Sequence, residues 1–460
     1  MNLDTIKNVY FIGIGGIGMS ALALYFMDNK KTVSGYDRTP SDITKMLEEA
    51  GVNIHYEDDI DLIPHDVITE KADSLIIYTP AIPTDHLELN YFLNREFLVR
   101  KRAKILGEIT KDKFTIAVGG THGKTTTAAM ITHMLTTAKI DCYALLGGIP
   151  VNFGSNYIKP KHKPSDIFVV EADEFDRSFL QLSPNITVIT STDADHLDVY
   201  ENHENLESSY NEFLQNIKYN GIYVHEKNVD LIQPKHLKSA ISYGFDPSLP
   251  YHAKNISIKD GTYILDIVTP LFEIKDIKLG VPGEHNILNS LAALSVCTEM
   301  IHDSDILKSA LESFQGVKRR FEFIIQKPNL ILIDDYAHHP TEINAAILTA
   351  MKLYPGKKIT GIFQPHLFSR TRDFADMFAK VLSQLDKVVL LEIYPAREEP
   401  IKGISSYTIF EKILICDKVI TTSKCLLSHL QYDDDEVYLV LGAGDIDRLI
   451  DPIKEILLNK

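Results

Sequence analysis

The residues with the most specific chemical pattern lie at 114–127, where the sequence is F-T-I-A-V-G-G-T-H-G-K-T-T-T. An apolar run precedes the glycines and a helical pattern follows, so we predict a strand, a tight loop and a helix. Such a loop binds polyphosphate, because glycines expose backbone N–H groups, the helix N-terminus is partly positive, and Lys124 adds a full charge. Thr125 is then placed to hold Mg²⁺. The loop is a variant of G-x-x-x-x-G-K-[ST], because its first glycine arrives one position late. A purely structural glycine turn is the alternative.

A second glycine-rich loop follows a short apolar strand near the N-terminus. Gly13, Gly15 and Gly18 match G-x-G-x-x-G, and Asp37 ends the next predicted strand about twenty residues later. This arrangement is typical of dinucleotide-binding folds, in which a diphosphate approaches the helix N-terminus and the acid contacts a ribose. By itself the pattern predicts NAD binding. The same loop would hold any diphosphate, including that of a UDP-sugar.

Carboxylates and a histidine follow two predicted strands in the central part of the chain. Glu171 comes directly after the strand at 166–170, where a carboxylate beside a phosphate-binding loop contacts the metal ion. His196 lies among three acids at 193–198, and an imidazole there can contact Mg²⁺ or position a reactant. A charged strand end in solvent is the alternative for Glu171, and a structural role is the alternative for His196.

Two further groups of polar residues precede predicted helices or strands. His285, Asn286 and Asn289 share the N-terminal face of a helix predicted at 288–297, which suits recognition of a base and suits helix capping equally well. Four cations at 100–104 precede the phosphate-loop strand. We expect most of them to form a solvated linker, with a substrate phosphate as a partner for Arg102.

The elements that must position these residues are strands alternating with helices along the whole chain, which predicts an α/β fold with parallel sheets and functional loops at strand ends. A chain of 460 residues exceeds one core, so about three domains are expected. We predict boundaries that give domains at 1–106, 107–315 and 316–460.

Composition limits the class of protein. Hydrophobic residues make up 45% and charged residues 24% of the chain, as in ordinary globular proteins. A net charge of −16 argues against a nucleic-acid partner, and the four cysteines lack the C-x-x-C spacing of zinc sites. No apolar stretch approaches the length of a membrane span, so we expect a cytoplasmic enzyme without a membrane partner.

Eight blocks along nearly the whole chain resemble the ATP-dependent Mur ligases of peptidoglycan synthesis. The blocks are F-I-G-I-G-G-I-G-M-S at 11–20, G-T-H-G-K-T-T-T at 120–127, E-A-D-E at 171–174, D-A-D-H-L-D at 193–198, P-G-E-H-N-I-L-N at 282–289, K-R-R-F-E at 318–322, D-D-Y-A-H-H-P-T-E at 334–342 and G-A-G-D-I at 442–446. Their order and number make the resemblance specific.

The resemblance implies both a fold and a reaction. It implies a Rossmann-like N-terminal domain that binds a UDP-sugar, a central P-loop ATPase-type domain with a mostly parallel sheet, and a C-terminal Rossmann-like domain that completes the ATP and amino-acid site. The implied reaction passes the γ-phosphoryl group of ATP to the carboxylate of UDP-N-acetylmuramate, and the amine of L-alanine then attacks the acyl phosphate. Mg²⁺ is the implied cofactor, and we expect a monomer or homodimer.

The resemblance also implies site residues. ATP is expected at Gly120, Thr121, His122, Gly123, Lys124, Thr125, Thr126, His285, Asn286, Asn289, Arg320 and Asp335. The UDP-sugar is expected at Gly15, Gly16, Ile17, Gly18, Met19, Ser20, Asp37, Thr79 and Arg102. Mg²⁺ is expected at Thr125, Glu171 and His196, the amino acid at His338, His366, Arg370 and Arg397, and catalytic roles at Lys124, His196 and Arg370.

Three positions depart from the family pattern. Leu367 replaces an arginine expected near the amino-acid carboxylate, and Arg397 stands where the family prefers glycine, so we expect Arg397 to compensate. Ser191 replaces an asparagine, which would loosen a metal or phosphate contact.

Three other functions are alternatives, and each is expected to differ from this one in a stated feature. A related ligase that returns a recycled tripeptide to the same nucleotide sugar typically lacks the 11–20 block. An NAD-dependent dehydrogenase would leave Lys124 without a purpose, and a noncatalytic nucleotide switch would show no amino-acid-dependent phosphate release.

Overall fold

A computed structural model describes residues 3–193, 200, 202–396, 398–430 and 436–458. Strands and helices alternate in it, and the described strands form three sheets. The α/β class is therefore confirmed, with a Rossmann-like first sheet and mostly parallel central and C-terminal sheets. The α-helices are Ile17–Asp28, Asp42–Glu49, His65–Thr69, Leu87–Asn94, Arg102–Thr110, Lys124–Thr137, His203–Gln215, Glu284–Cys297, Ser304–Ser313, Pro340–Leu353, Phe368–Leu382, Tyr407–Phe410 and Ile450–Leu458.

The first sheet has five parallel strands in the order β3-β2-β1-β4-β5. They are β1 (Asn8–Ile12), β2 (Thr32–Tyr36), β3 (Asn53–His55), β4 (Ser74–Tyr78) and β5 (Leu98–Lys101). The strand order reverses beside β1, and open α/β sheets bind ligands at the strand ends next to such a point. All five residues of β1 are buried, which explains its unbroken apolar sequence.

The central sheet surrounds the phosphate-loop strand. Its first strands are β6 (Phe114–Gly119), β7 (Tyr143–Leu145), β8 (Tyr157–Ile158), β9 (Ile167–Glu171), β10 (Ile186–Ile189), β11 (Ile222–Glu226) and β12 (Ser239–Gly244), and they lie in the order β12-β11-β10-β6-β9-β7-β8. The same sheet continues through β13 (Tyr251–Lys259), β14 (Thr262–Val268) and β15 (Glu273–Lys278). Because β6 lies between β10 and β9, the loops after these three strands meet at one edge.

The third sheet has the order β16-β17-β21-β18-β19-β20 and is parallel except for its first pair. Its strands are β16 (Glu322–Lys327), β17 (Leu330–Asp335), β18 (Lys358–Phe363), β19 (Lys387–Leu390), β20 (Lys418–Ile420) and β21 (Glu436–Leu441). Residues of β17 and β21 are buried throughout, so this sheet has a core of its own.

Residue contacts divide the chain into two compact units. The first unit is Met1–Lys254, Ile267–Ile274 and Leu288–Leu311, and the second is Asn255–Asp266, Lys275–Ile287 and Glu312–Lys460. The first unit contains the N-terminal sheet and most of the central one, and a single hydrophobic cluster runs through both. Tyr25 connects them, because its ring lies 6.1–6.3 Å from those of Tyr143, Tyr157 and Phe168.

Two local expectations are wrong. The cations at 100–104 do not form a linker, because Arg100 and Lys101 end β5 and Arg102 begins a helix. The helix expected from 288 begins at Glu284, so His285 and Asn286 lie in its first turn.

No helix within the described ranges combines the length and apolarity needed to cross a bilayer. The domain boundaries at 106 and 315 stay predictions.

Candidate active site

The phosphate loop (residues 119–124) has the predicted strand-loop-helix geometry. Gly120 and Gly123 have φ of +121° and +80°, values that strain any residue with a side chain. A Cβ atom at Gly120 would lie 2.2 Å from Oγ1 of Thr190, and one at Gly123 would lie 2.4 Å from Oδ1 of Asn289. Conformation and crowding therefore both require glycine. The helix begins at Lys124, which leaves its first N–H groups at the loop.

The end of β10 holds the phosphate loop in shape. The Ser191 carbonyl accepts from the N–H of Thr121 at 3.1 Å, and its hydroxyl accepts from the N–H of His122 at 3.0 Å. The hydroxyl of Thr190 donates to the His122 carbonyl. Ser191, noted above as a departure from the family pattern, thus supports the loop backbone directly.

Lys124 is held by a carboxylate that the sequence analysis did not assign. Its Nζ lies 2.7 and 2.9 Å from the two carboxylate oxygens of Glu174 and donates to the Gly120 carbonyl at 2.7 Å. Burial favours the neutral amine, but the charges of Glu174, Asp173 and Glu171 outweigh it and raise the pKa of Lys124. Lys124 therefore carries its positive charge at neutral pH. The only sequence signal for Glu174 was its position as the last acid of E-A-D-E.

Thr125 and Glu171 come together beside the loop. The Thr125 hydroxyl donates to Oε2 of Glu171 at 2.9 Å, and the other carboxylate oxygen accepts from the N–H of Gly147. A hydroxyl and a carboxylate in contact are the oxygen ligands that a hard cation such as Mg²⁺ takes. These two residues fit the predicted metal site. His196, the third predicted ligand, lies outside the described residues.

Three more residues predicted for ATP lie in the phosphate loop or in or under the helix that follows it. Oδ1 of Asn289 accepts from the Thr127 hydroxyl at 3.2 Å, so Asn289 supports the helix that follows the loop. Thr126 is buried in the first turn of that helix. His122 lies 3.4 Å from a carboxylate oxygen of Asp193.

The N-terminal glycine loop (residues 13–18) is held by the acid at the end of β2. Oδ2 of Asp37 accepts from the N–H of Gly15 at 2.8 Å, and Oδ1 accepts from the N–H of Thr39. In dinucleotide-binding folds this acid contacts ribose, whereas here both oxygens bind the chain itself. Thr79 lies against Gly13, since a Cβ atom there would be 2.9 Å from its Cγ2.

The helix Ile17–Asp28 continues from Gly16, which offers no side-chain cap. Met19 and Ser20 are buried in its first turns, and the amide of Asn156 donates to the Ile17 carbonyl at 2.6 Å and to the Ser20 hydroxyl at 2.9 Å. Asn156, which directly precedes β8, thereby fixes the start of this helix. Ile17 and Ser20, both predicted for the UDP-sugar, are the residues that it contacts.

Arg102 lies at the other side of the same loop. A Cβ atom at Gly18 would be only 2.7 Å from its Nη1, so the guanidinium occupies the space that glycine leaves. Its Nη2 donates to Oδ2 of Asp173 at 3.0 Å. The third glycine of the motif thus makes room for a cation.

In the second unit, His285 and Asp335, both predicted for ATP, each interact electrostatically with Arg320 and Glu342. Nη1 of Arg320 lies 3.8 Å from Oε1 of Glu342, and its guanidinium lies over the Tyr336 ring at 5.0 Å. Burial lowers the pKa of His285 to about 4, so its imidazole is neutral at neutral pH. Burial also raises the pKa of Asp335 to about 7, although the Arg320 charge opposes it. The Asn286 amide donates to the Pro282 carbonyl at 2.6 Å and so stabilises the turn before the helix.

The residues predicted for the amino acid lie after β17 and β18 of the same unit. The rings of His338 and His366 are 5.9 Å apart, and His366 stacks on Tyr394 at 5.8 Å. Arg370 is buried in the first turn of the helix Phe368–Leu382. Leu367, just before that helix, has φ of +70°, a conformation that an L-residue adopts only under strain. Arg397 lies outside the described residues.

Three family models match successive parts of the chain. They are described as the Mur ligase family catalytic domain at residues 8–114, the Mur ligase middle domain at 118–297 and the Mur ligase glutamate ligase domain at 319–444. The chain belongs to the Mur ligase family. The order of the models along this Mur ligase also agrees with the predicted three-domain architecture.

Among relatives of this Mur ligase, the UDP-N-acetylmuramate–L-alanine ligase of Flavobacterium psychrophilum is 50% identical over all of both chains. The crystal structure of the UDP-N-acetylmuramate–alanine ligase of Thermotoga maritima has a TM-score of 0.83, 29% identity and coverage of 98% of this chain and 99% of that one. A murein peptide ligase from Psychrobacter arcticus has a TM-score of 0.73 at 22% identity, over 99% of both chains. That last similarity concerns the fold alone.

Proposed function

We propose that this Mur ligase joins L-alanine to the lactyl carboxylate of UDP-N-acetylmuramate at the expense of ATP. The observation that carries the proposal is the phosphate loop, where Lys124 points back over its own loop beside the Thr125–Glu171 pair. The full-length similarity to a relative named for this reaction selects the substrates. We also propose that the reaction takes place in the cytoplasm.

The first step transfers the γ-phosphoryl group of ATP to the carboxylate and releases ADP. Both reactants are anions, so their repulsion dominates the barrier, and fixed positive charge lowers it. Lys124 supplies one such charge, and the N–H groups of residues 120–124 supply partial charges in the same place. Thr125 and Glu171, with His196 as a predicted third ligand, would hold Mg²⁺, which when bound supplies further charge of the same sign.

The second step forms the amide. The amine of L-alanine attacks the acyl carbon, the C–O bond to phosphate breaks, inorganic phosphate leaves, and the nitrogen loses its proton. We assign binding of the amino-acid carboxylate to Arg370, and we place His338 and His366 near the amino acid. The resemblance to the family adds Arg397 to the same site.

The UDP-sugar is assigned to the N-terminal glycine loop. The start of the helix Ile17–Asp28 has no side-chain cap, so its N–H groups can bind a diphosphate. Asp37 keeps the loop in shape, and Arg102 offers a charge beside Gly18. A diphosphate loop of this kind needs no redox cofactor, which accounts for a dinucleotide-like pattern in a ligase. In the second unit we assign His285, Arg320 and Asp335 to the nucleotide of ATP.

The test is phosphate release by the purified chain with ATP, Mg²⁺ and UDP-N-acetylmuramate while the amino acid is varied. We expect release with L-alanine, less with glycine or L-serine, and none without an amine. Release only with the tripeptide L-alanyl-γ-D-glutamyl-diaminopimelate would instead favour the recycling ligase. No ATP consumption with any amine would contradict the ligase assignment.

A further inference from the structure

One short segment, which we call the acid loop (residues 172–177), contacts cations from both glycine-rich loops. Asp173 pairs with Arg102, which lies beside Gly18, and Glu174 pairs with Lys124 of the phosphate loop. Neighbouring carboxylates on the central domain thus hold one cation of each anion site. All of these residues belong to the first compact unit.

Arg102 occupies an electrostatically unfavourable position. Its guanidinium lies against Gly18 in the first turn of Ile17–Asp28, where the helix dipole is positive, and a cation there is disfavoured. It is also the first residue of its own helix, Arg102–Thr110. A neighbouring anion offsets this unfavourable position. Asp173 provides that anion.

A backbone hydrogen bond fixes the Asp173 carboxylate independently of Arg102. Its Oδ1 accepts from the N–H of Phe175 at 3.1 Å, which leaves Oδ2 for the guanidinium. Downstream, Asp176 and Arg177 have φ of +54° and +53°, so the loop is bent by two consecutive left-handed residues. Left-handed residues without glycine are strained and are retained where the local geometry serves a function.

The pair contributes little to stability. The side chain of Asp173 is 38% exposed and that of Arg102 is 20% exposed. Ion pairs with this much solvent access typically stabilise a protein by less than about 1 kcal/mol, so docking of the two domains does not depend on it. Orientation of the guanidinium explains the pair better than stability does. A fixed guanidinium has five donors, so it can keep Asp173 and still bind a phosphate oxygen.

We propose that Asp173 is a positioning residue for the UDP-sugar: it holds the guanidinium of Arg102 against Gly18, so the diphosphate meets an already oriented cation. The inference rests on the proposed function. Asp173 belongs to the central, ATP-binding domain and lies two positions after Glu171. The proposal nevertheless gives it an effect on the affinity for the UDP-sugar. The effect passes through Arg102 and requires no contact between Asp173 and the sugar nucleotide.

The same loop supplies a matched control. Oδ2 of Asp176 lies 2.8 Å from Nζ of Lys101, so this pair also joins an acid of the loop to a cation at the end of β5. The two carboxylates have nearly equal exposure, 38% and 37%. Asparagine tolerates the left-handed conformation of residue 176, so Asp176→Asn removes the charge without adding strain. Only the Asp173 pair, however, orients a cation at Gly18.

The experiment is calorimetric titration of the full chain with UDP-N-acetylmuramate in the absence of ATP. We expect Asp173→Asn to weaken binding roughly tenfold, as loss of a charge-assisted hydrogen bond would, and Asp176→Asn to stay within about twofold of the unsubstituted chain. Arg102→Ala should weaken binding at least as much, and Asp173→Asn should add nothing further in that background. The KM for ATP should not rise in Asp173→Asn, which would show that the Glu171 site is intact.

Several outcomes would overturn the inference. Equal weakening by Asp173→Asn and Asp176→Asn would show that the loop only docks the N-terminal domain. Additive effects of Asp173→Asn and Arg102→Ala would show that Asp173 does not act through Arg102. If the unsubstituted chain binds UDP-N-acetylmuramate tightly and Asp173→Asn binds it equally well, only this inference is contradicted. If the unsubstituted chain does not bind UDP-N-acetylmuramate, the proposed function is contradicted as well.

Discussion

Both carboxylate oxygens of Glu174 lie within 2.9 Å of Nζ of Lys124, so the lysine of the phosphate loop is already bound to an anion. The side chain of Glu174 is only 2% exposed, and that of Lys124 is 17% exposed. In a buried pair of this kind the charges are screened weakly, so the carboxylate competes with any phosphate that Lys124 binds. We therefore expect Glu174 to leave Lys124 when a phosphate group of ATP binds there.

This competition predicts the effect of Glu174→Gln on ATP affinity. Removing the negative charge leaves Lys124 available to the phosphates and removes a repulsion, so the dissociation constant for ATP should fall about threefold to tenfold. Turnover should fall too, because the lysine is no longer held in one position. Titration with ATP in the absence of UDP-sugar measures the first effect. Weaker ATP binding in a folded variant would mean that Glu174 supports the site and does not compete for it.

Lys124→Ala should abolish ligation and leave UDP-sugar binding nearly intact. Loss of a fixed charge at the transferring phosphoryl group lowers turnover by on the order of a hundredfold or more, while the UDP-sugar is assigned to a different loop. Phosphate release and calorimetric titration of the UDP-sugar measure the two effects. Joint loss of turnover and UDP-sugar binding in a folded variant would contradict the division of the substrates between the two loops.

The same substitution should also destabilise the protein. It removes the cation that faces the buried Glu174 carboxylate, and breaking a buried pair from one side costs about 3 kcal/mol. The double variant Lys124→Ala/Glu174→Gln should recover part of this loss, because the charge is then absent as well. Urea unfolding followed by circular dichroism measures it, since the chain has no tryptophan. A double variant less stable than Lys124→Ala would be evidence against the pairing.

Asp335 should make stability depend on pH between about 4 and about 7. Burial raises its pKa to about 7 in the folded chain, above the value of about 3.9 in an unfolded one. In that window the folded state binds more protons than the unfolded state, so the free energy of unfolding falls as pH rises. Asp335→Asn lacks this proton and should lose less stability from pH 4 to pH 7.5. The prediction is refuted if the free energy of unfolding changes by the same amount in Asp335→Asn and in the unsubstituted chain across this pH window.

Asp37→Ala should weaken UDP-sugar binding without revealing a nicotinamide site. The substitution removes the acceptor for the N–H of Gly15, so the glycine loop loses its fixed shape and the affinity should fall about tenfold. Titrations with UDP-N-acetylmuramate and with NAD measure the two properties. Tight NAD binding by the unsubstituted chain would support the dehydrogenase alternative.

Much of the fold follows from local sequence. The short apolar strand predicted before the N-terminal glycine loop is β1, a strand buried along its whole length that ends just before Gly13. Both glycine loops were also evident, since the required backbone conformations restrict the residue type. Thr125 and Glu171 were both predicted as Mg²⁺ ligands, Thr125 from the phosphate-loop pattern and Glu171 as the carboxylate at a neighbouring strand end, and the structure brings the two into contact.

The sequence by itself determined the α/β class, the two phosphate-type loops and the family, because these depend on residue types at short, fixed spacings. Only the tertiary structure decided which charges meet. Arg102 and Asp173 are 71 residues apart, and Lys124 and Glu174 are 50 apart. An acid at a strand end has several cations within reach of its loop, and the choice among them depends on backbone bends such as those at Asp176 and Arg177. No local pattern encodes that choice, since the paired residues are 50 or more positions apart and meet only in the folded chain.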